Sequence, residues 1–460
     1  MNYYEIFPGN QYSLYTAFIC SPNFGARSKT NNRSADKTLE FSISKTPYRE
    51  NISDDEKIAG LSKLWSEVKY NFANFDLVPE LDWDNLYLSY LPKVRQTKST
   101  LEYYRLLVEL CALLKDGHTN VYPPEALSNE LDARPPLRTA LIERTVFVTE
   151  VLSDSLRRAG LHPGLEVVAI DGVPVHQYAE RYIAPFESSS SKQDLEVRTY
   201  SYSLLSGSIS RDVELTLRDL QGNTFKRKVR RGGYTDVVRT PQPSFAFKVL
   251  EGNVGYVALN SFEDADVPKM FNAAFGEIQK TDALILDLRL NGGGNDSIGF
   301  EILGYLTDKN FKTSRWRTRQ YLPAFRAWGR GETWYGQEEE PRKPNGARHY
   351  SKPVIVLTSG RTFSAAEDFC VAFDYMKRGT IIGEPTGGST GQPLFFALPG
   401  GGSARVCTKR DSYPDGKEFI GVGVQPRILV RPTIADFRMY IPLICLSLLV
   451  FGHSRDGLRI

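Results

Sequence analysis

The sequence predicts an α/β fold for the larger part of this 460-residue chain. Between about residues 244 and 435, short apolar runs typical of buried strands alternate with helical stretches, the pattern of βαβ units in a layered domain. Two features with chemical potential lie inside that pattern: a glycine-rich turn between a strand and a helix, and a serine at the start of a helix. The chain is too long for one ordinary core, so we expect two or three domains.

Composition and charge exclude several classes of function. The apolar content of 41% and aromatic content of 12% are typical of a globular protein. A net charge of +3 is small for this length, so we expect no nucleic-acid partner. The five cysteines are scattered without a Cys-x-x-Cys spacing, and no two of the five histidines lie at ligand spacing. We therefore expect neither a disulfide framework nor a metal site.

The two ends of the chain differ from the middle. Residues 1–52 are polar and show no steady period, so we expect a poorly ordered leader, and we recognise no signal peptide. Residues 437–460 form an atypical apolar tail. Its run from Met439 to Phe451 is shorter than the roughly 20 residues that span a bilayer. We expect a packed tail, and a membrane contact is the less favoured alternative.

Residues 53–125 are predicted to be a small helical segment. Ser53 and Glu56 have capping-box spacing, and apolar residues at helical spacing follow them. Two more helical stretches come next, and Gly117 is predicted to cap the last of them. His118 then lies just beyond a helix end, where a histidine is ordinarily solvated or interacts with the helix dipole.

Residues 138–232 are predicted to be a β-rich domain. Four strand-like runs alternate with turns, and Pro-Gly and Asp-Gly turns bracket an apolar strand in the phrase from Ala159 to Val175. That phrase resembles the signature of PDZ domains, which bind the C-terminus of a polypeptide by strand addition. Glu166 stands where the signature has Asp, and we recognise no Gly-Leu-Gly-Phe loop. The domain could therefore bind a peptide or serve only as scaffold.

The α/β region carries the glycine-rich turn. Strand-like Ala283 to Leu288 leads into Asn291-Gly-Gly-Gly-Asn-Asp-Ser297, where outward-facing amides would suit an anion. No Gly-Lys-Ser/Thr follows and the glycines are contiguous, which excludes a P-loop and a dinucleotide fingerprint. Residues 315–350 lack a period and are predicted to be a long surface loop.

Ser364 stands at the start of a predicted helix. The strand-like run Val354 to Leu357 and a Thr-Ser-Gly turn precede it, and another strand, Thr380 to Ile382, follows the helix. This order presents a hydroxyl beside unpaired helix N-terminal amides, where an oxyanion could be held. Ser364-Ala-Ala-Glu367 also fits a capping box, which any helix can use.

In this order the segments resemble the C-terminal processing and tricorn-core family of serine peptidases, over roughly residues 53–436. The resemblance implies a ClpP/crotonase-like layered peptidase core at 244–436, with the helical segment before it and the PDZ-like domain inserted. Four segments carry it, and they resemble in turn the family's oxyanion strand, nucleophile segment, following turn and closing strand: Leu286-Asp-Leu-Arg-Leu-Asn-Gly-Gly-Gly294, Thr362-Phe-Ser-Ala-Ala-Glu367, Gly383-Glu-Pro-Thr-Gly-Gly388 and Gly421-Val-Gly-Val-Gln-Pro426.

The resemblance also implies a catalytic machinery. Ser364 takes the nucleophile position, and the backbone amides of Gly292 or Gly293 and of Ala365 would hold the oxyanion. Family members with a Ser-Lys dyad carry a lysine where this sequence has Ser389. The missing lysine favours the tricorn-like branch, which uses a Ser-His pair.

In that branch His118 is the matching base. We expect Glu418 to be the acid that orients His118, with Asp415 as the reserve. The implied reaction is peptide cleavage through an acyl-enzyme that water then hydrolyses, without a cofactor.

The implied partner is a polypeptide substrate, which the PDZ-like domain would present. The resemblance favours a periplasmic or cell-envelope location and leaves a homo-oligomer open. Two alternatives remain: a crotonase-like acyl-CoA hydrolase using the same glycine turn, and a catalytically inactive protein that binds a peptide or lipid ligand on the same scaffold. Labelling of Ser364 by a fluorophosphonate would separate the peptidase from the carrier.

Overall fold

The N-terminal helices begin and end at caps that the sequence encodes. The computed structural model describes residues 46–237, 242–337, 339–346 and 348–438. The predicted leader up to residue 45 and the apolar tail from 439 lie outside the described residues. The Ser53 capping box is confirmed, since Ser53 N–H donates to Glu56 Oε2 at 3.0 Å and Ser53 Oγ accepts from Glu56 N–H at 3.3 Å.

The elements of this segment pack around one apolar cluster that includes Leu61, Leu64 and Leu107. They are α1 (Asp54–Asn71), α2 (Trp83–Gln96), α3 (Thr100–Ala112), β1 (Asn120–Tyr122) and α4 (Ser128–Leu131). The predicted Gly117 cap is wrong. Helix α3 already ends at Ala112, and the backbone reverses at Lys115, whose φ is 49°. Gly117 therefore belongs to the turn that precedes β1.

A separate antiparallel sheet follows, with its own apolar core. The four strand-like runs predicted here are confirmed. The elements are β2 (Leu137–Ile142), β3 (Thr145–Val151), α5 (Asp154–Arg158), β4 (Glu166–Ile170), β5 (Val173–Pro174), α6 (Val175–Tyr182), α7 (Lys192–Glu196), a π-helix (Val197–Ser203), β6 (Val213–Arg218) and β7 (Thr224–Val229). The strands lie in the order β2-β3-β4-β6-β7, and β5 pairs with β4.

The third region is a mixed α/β unit built on a six-stranded sheet. The elements of this sheet and of the helices that accompany it are β8 (Phe245–Leu250), β9 (Val254–Leu259), α8 (Val267–Ile278), β10 (Ala283–Asp287), α9 (Asp296–Gly304), β13 (Val354–Thr358), α11 (Ala365–Tyr375), β14 (Thr380–Gly383), β18 (Ile428–Leu429) and α12 (Ile434–Arg438). The strands lie in the order β18-β14-β13-β10-β9-β8. All neighbours are parallel except the edge pair β8–β9.

The sheet brings the two predicted chemical features to the same edge. Strands β10 and β13 are buried along their whole length and pair in parallel, with Leu286 opposite Val356. Their carboxyl ends therefore meet, and the glycine turn follows one while the Ser364 turn follows the other. Apolar residues of α8, α9 and α11 cluster with Leu284, Leu286 and Val356 of the sheet.

The segment 315–350 is not the long loop that the sequence predicted. It forms β11 (Arg315–Gln320), α10 (Pro323–Ala327) and β12 (Thr333–Gln337), and β11 pairs with both β12 and β17 (Lys409–Ser412). Strand β12 is largely exposed, so it lacks the apolar alternation that marks a half-buried strand in a sequence.

A small sheet joins the N-terminal helices to the α/β unit. Strand β16 (Ser403–Cys407) pairs with β15 (Pro393–Ala397) on one side and with β1 on the other. Asn120 of β1 lies opposite Arg405 of β16. This pairing carries the turn before β1 to the edge where Ser364 lies. Among the described residues, no helix has both the length and the apolar character needed to cross a membrane.

Candidate active site

Ser364 lies in a strained turn between β13 and α11. Its φ of 56° and ψ of −128° are unusual for a residue other than glycine. Its Oγ lies 3.0 Å from Nε2 of His118. The capping box that the sequence also predicted is present, and in it Ser364 N–H donates to Glu367 Oε2 at 3.1 Å. The hydroxyl itself faces the histidine.

The carboxylate of Asp116 holds the backbone of His118 in the turn before β1. Asp116 Oδ1 accepts the His118 N–H at 3.2 Å, and Asp116 Oδ2 accepts the Thr119 hydroxyl at 2.7 Å. Burial raises the pKa of Asp116, whereas these donors lower it. His118 is 4% exposed. The structure thus brings together two residues that lie 246 positions apart in the sequence.

The second ring nitrogen of His118 contacts a serine. Ser389 Oγ lies 2.8 Å from His118 Nδ1. If Nε2 is to accept the proton of Ser364, Nδ1 must carry the ring hydrogen, and Ser389 Oγ then accepts it. The sequence had marked Ser389 only as the place of an absent lysine.

Glu418 does not orient His118, contrary to the sequence-based prediction. Its carboxylate accepts from Arg410 Nε at 3.1 Å and lies 3.6 Å from Arg317, and its side chain is 41% exposed. The reserve candidate Asp415 accepts the backbone N–H of Lys417 at 3.0 Å in a turn. Glu418 therefore belongs to an ion-pair network with Arg410 and Arg317, and Asp415 belongs to a turn.

Glu367 is a buried carboxyl that holds the site together. Its Oε1 accepts from Thr386 Oγ1 at 2.5 Å and from Gly388 N–H at 2.7 Å, and its Oε2 accepts from Ser389 N–H at 2.9 Å. Oε2 also accepts the Ser364 N–H, so one side chain binds the backbones of both serines that contact the histidine. Burial raises the pKa of Glu367 to about 8, and the four donors oppose that rise.

The glycine turn and the start of α11 offer an oxyanion two amides. Within the described residues, the N–H groups of Gly292 and Ala365 have no protein acceptor. Gly293, the third candidate, donates its N–H to Asn291 Oδ1 at 2.9 Å. A Cβ on Gly293 would lie 2.7 Å from Ser364 Cβ, so this glycine permits the close approach of the two turns. Gly292 and Ala365 are therefore the better-placed donors.

The charges around the histidine are positive. Burial lowers the pKa of His118 well below its ordinary value, and Arg405, Arg198 and Lys409 lower it further. The imidazole is therefore neutral at neutral pH, the form that a general base requires. Among the described residues, no group of three or more His, Cys, Asp or Glu side chains could hold a metal ion.

A segment from the region of the antiparallel sheet also touches the site, a contact that little in the sequence indicated. Ser190 Oγ accepts the Gly117 N–H at 2.9 Å and donates to Asp116 Oδ1 at 3.3 Å. Ser191 Oγ donates to the Gly387 carbonyl at 2.7 Å. The one signal was a run of four serines at 188–191, three of which are buried.

Comparisons with known proteins relate this chain to peptidases. Residues 253–430 match the family model described as Peptidase family S41, a range that contains Ser364 and the glycine turn but not His118. Carboxyl-terminal-processing protease of Synechocystis sp. is 21% identical over 408 residues, covering 86% of this chain and 85% of that protein. C-terminal processing peptidase of Tetradesmus obliquus, a chloroplast protein, is 24% identical over 366 residues, covering 76% and 73%.

A third relative matches more closely over a shorter range. Carboxy-terminal-processing protease of Bartonella bacilliformis is 28% identical over 194 residues, which is 41% of each protein. Among solved structures, mature CPAF has 18% identity and a TM-score of 0.69, covering 88% of this chain and 99% of that one. A putative peptidase from Parabacteroides merdae has 18% identity and a TM-score of 0.53, covering 89% and 100%. These structures share the mixed α/β fold.

Proposed function

We propose that this protein, a serine-type peptidase of the S41 family, cleaves polypeptides through an acyl-enzyme formed on Ser364. The observation that carries the proposal is the 3.0 Å contact between Ser364 Oγ and His118 Nε2. A serine hydroxyl is a weak nucleophile at neutral pH and needs an adjacent base at this distance. Burial and nearby cations keep that base neutral, as described above.

The reaction begins with attack of Ser364 Oγ on a peptide carbonyl carbon while His118 Nε2 accepts the hydroxyl proton. The carbonyl oxygen becomes an oxyanion that the N–H groups of Gly292 and Ala365 bind; one such donor is worth roughly 10²–10³ in rate. Collapse of the tetrahedral intermediate breaks the C–N bond, and Nε2 returns its proton to the leaving amine. Water, deprotonated by the same nitrogen, then hydrolyses the ester.

Ser389 fills the place of the third catalytic member. Its Oγ, 2.8 Å from Nδ1, accepts the ring N–H and selects the tautomer whose Nε2 is free to accept a proton. It is a positioning residue, because it acts through His118. Glu367 fixes the backbone of Ser389 by accepting its N–H.

The domain arrangement supports a polypeptide substrate. Residues 244–436 would form a ClpP/crotonase-like layered peptidase core, and 138–232 a PDZ-like domain that presents the polypeptide to be cut. The antiparallel sheet of the second region and the mainly parallel sheet of the third are consistent with these assignments. The helical segment at 53–125 would supply the base, since His118 follows α3.

Purified protein, a fluorophosphonate probe and an unfolded fluorescent casein test the proposal. We expect the wild type to be labelled and to cleave casein, whereas Ser364→Ala and His118→Ala lose both activities. Ser297→Ala is the matched control, because Ser297 is an exposed serine near the start of α9. Cleavage that survives Ser364→Ala would contradict the proposal. Hydrolysis of acetyl-CoA without casein cleavage would favour the acyl-CoA hydrolase, and a folded wild type that neither labels nor cleaves would favour the inactive carrier.

A further inference from the structure

The ring of Phe363 stacks on the ring of His118. Their centroids are 4.9 Å apart and their planes differ by 6°, so the two rings are nearly parallel. Phe363 is the residue immediately before the nucleophile, and its backbone N–H donates to the Asn291 carbonyl at 3.0 Å. The backbone of Phe363 is therefore hydrogen-bonded to the glycine turn, and its ring covers one face of the His118 imidazole.

Two glycines leave room for this ring. A Cβ on Gly117 would lie 2.8 Å from Phe363 Cζ, and a Cβ on Gly387 would lie 2.6 Å from Phe363 Cδ2. Both distances are too short for any side chain to replace either glycine without moving the ring. One glycine belongs to the histidine turn and the other to the turn that carries Ser389. Phe363 is thus packed between the backbones of two loops that build the site.

No carboxylate contacts the ring of His118 among the described residues. Asp116 binds the backbone N–H of His118, while Nδ1 and Nε2 both face serine hydroxyls. The charges that act on the imidazole most strongly are cationic, from Arg405, Arg198 and Lys409. When the base accepts a proton, the resulting imidazolium therefore needs a stabilising partner that is not an acid.

We infer that Phe363 is that partner: its ring fixes the plane of the His118 imidazole and stabilises the imidazolium that forms when Ser364 attacks. This inference rests on the proposed function. The face of a benzene ring carries negative quadrupole potential, which attracts a cation stacked on it. A desolvated pair of this kind contributes enough to change a rate by roughly 10-fold. The same stack also restricts rotation of the imidazole about its side-chain torsions.

Arg198 adds a link to the inserted domain. Its guanidinium lies 5.3 Å from the centroid of the Phe363 ring, and Asp194 fixes it through bonds of 2.9 and 2.8 Å from Nε to the two carboxylate oxygens. The ring of Phe363 therefore contacts one permanent cation and one that exists only during the reaction. We expect the permanent cation to be partly neutralised by Asp194, which leaves the ring able to stabilise the transient one.

Replacing Phe363 by pentafluorophenylalanine tests the inference, because fluorination reverses the ring quadrupole while leaving the ring in place. The expected result is a roughly 10-fold fall in kcat with little change in KM, together with a lower His118 pKa in NMR titration. Phe363→Leu should lower kcat by at least as much. The matched control is the same analogue at Phe369, which stacks on Phe373 in α11 and touches no histidine.

The outcomes separate this inference from the function beneath it. If the Phe363 and Phe369 analogues had the same kcat and the same His118 pKa, the proposed role of the Phe363 ring would be wrong. If Ser364 were still labelled at the wild-type rate in that case, the peptidase mechanism would remain supported. A purified wild type that is never labelled would overturn the proposed function and this inference together. Thermal unfolding of each variant shows that the comparison is made between folded proteins.

Discussion

Ser190 of the antiparallel-sheet region accepts the backbone N–H of Gly117 at 2.9 Å, one residue before His118, the proposed base. The same hydroxyl donates to Asp116, whose carboxylate binds the His118 backbone. The orientation of the histidine turn therefore depends on a side chain from the region of the antiparallel sheet.

Removal of that hydroxyl should slow the enzyme without unfolding it. Ser190→Ala leaves the Gly117 N–H without a partner and removes one of the two donors to Asp116 Oδ1, and the turn can then shift. We expect kcat/KM for casein to fall by about 3- to 10-fold, since one net hydrogen bond is worth ~1 kcal/mol. Ser208→Ala is the control, because among the described residues the hydroxyl of Ser208 bonds to Ser210 alone, on the exposed side of the same region. Equal kcat/KM values in the two variants would contradict the prediction.

Ser389 should matter more than Glu418. Ser389→Ala leaves the buried Nδ1–H of His118 without an acceptor, so we expect kcat to fall by roughly 10- to 100-fold with little change in KM. Glu418→Gln should retain nearly full activity, because its partner Arg410 also pairs with Asp76 at 2.7 Å. Rates of fluorophosphonate labelling measure both effects. If Glu418→Gln slowed labelling more than Ser389→Ala did, Glu418 would be the orienting residue and Ser389 would not.

The pH profile should reflect the low pKa of His118. Because the base must be neutral, we expect kcat/KM to hold its plateau below pH 6.5, the ordinary histidine value. Arg405→Gln removes a neighbouring cation, raises the pKa of His118 and moves the acid limb to higher pH, whereas Arg405→Lys keeps the charge. An acid limb that stays in place in Arg405→Gln would contradict this assignment.

The same pKa shift affects stability. Since the folded state disfavours the protonated ring, the unfolded polypeptide binds the proton first as the pH falls below 6.5. The contribution of His118 to the free energy of unfolding is therefore complete above that pH and declines as the pH falls through the window down to the folded-state pKa. Thermal melts of wild type and His118→Gln across this range should converge at acid pH.

A methyl group at Gly117 should disrupt the site. Its Cβ would lie 2.8 Å from Phe363 Cζ and 3.0 Å from Ser389 Oγ, so two of the three side chains that touch the imidazole must move. We expect Gly117→Ala to lower kcat/KM by about 100-fold, the scale of a displacement near 1 Å. Gly276→Ala is the control, because a Cβ there, in the last turn of α8, meets nothing within 4 Å. It should stabilise the fold by ~1 kcal/mol with unchanged activity.

Local patterns predicted the elements that carry the site, and tertiary contacts decided the rest. The strand before Ser364 and the glycine turn were predictable because buried parallel strands are continuous apolar runs. The partner of Nδ1 was not predictable, because Ser389 reaches His118 only through packing of a turn 271 residues away. Glu418 was misassigned because the sequence cannot show that Arg410 and Arg317 bind it. Phe363 carried no sequence signal of its own, since any apolar residue could precede a nucleophile.

In the proposed mechanism, the position of His118 just before β1 makes activity a late event in folding. The nucleophile and its oxyanion turn lie together within the α/β unit, whereas His118 reaches them only when β1 pairs with β16, across a sequence separation of nearly 300 residues. Contacts between residues so far apart in the sequence form slowly, because the intervening chain must first lose conformational freedom. A nascent or partly folded polypeptide would thus possess a serine without its base. The enzyme would stay inactive toward neighbouring polypeptides, and toward its own unfolded segments, until β1 has paired with β16.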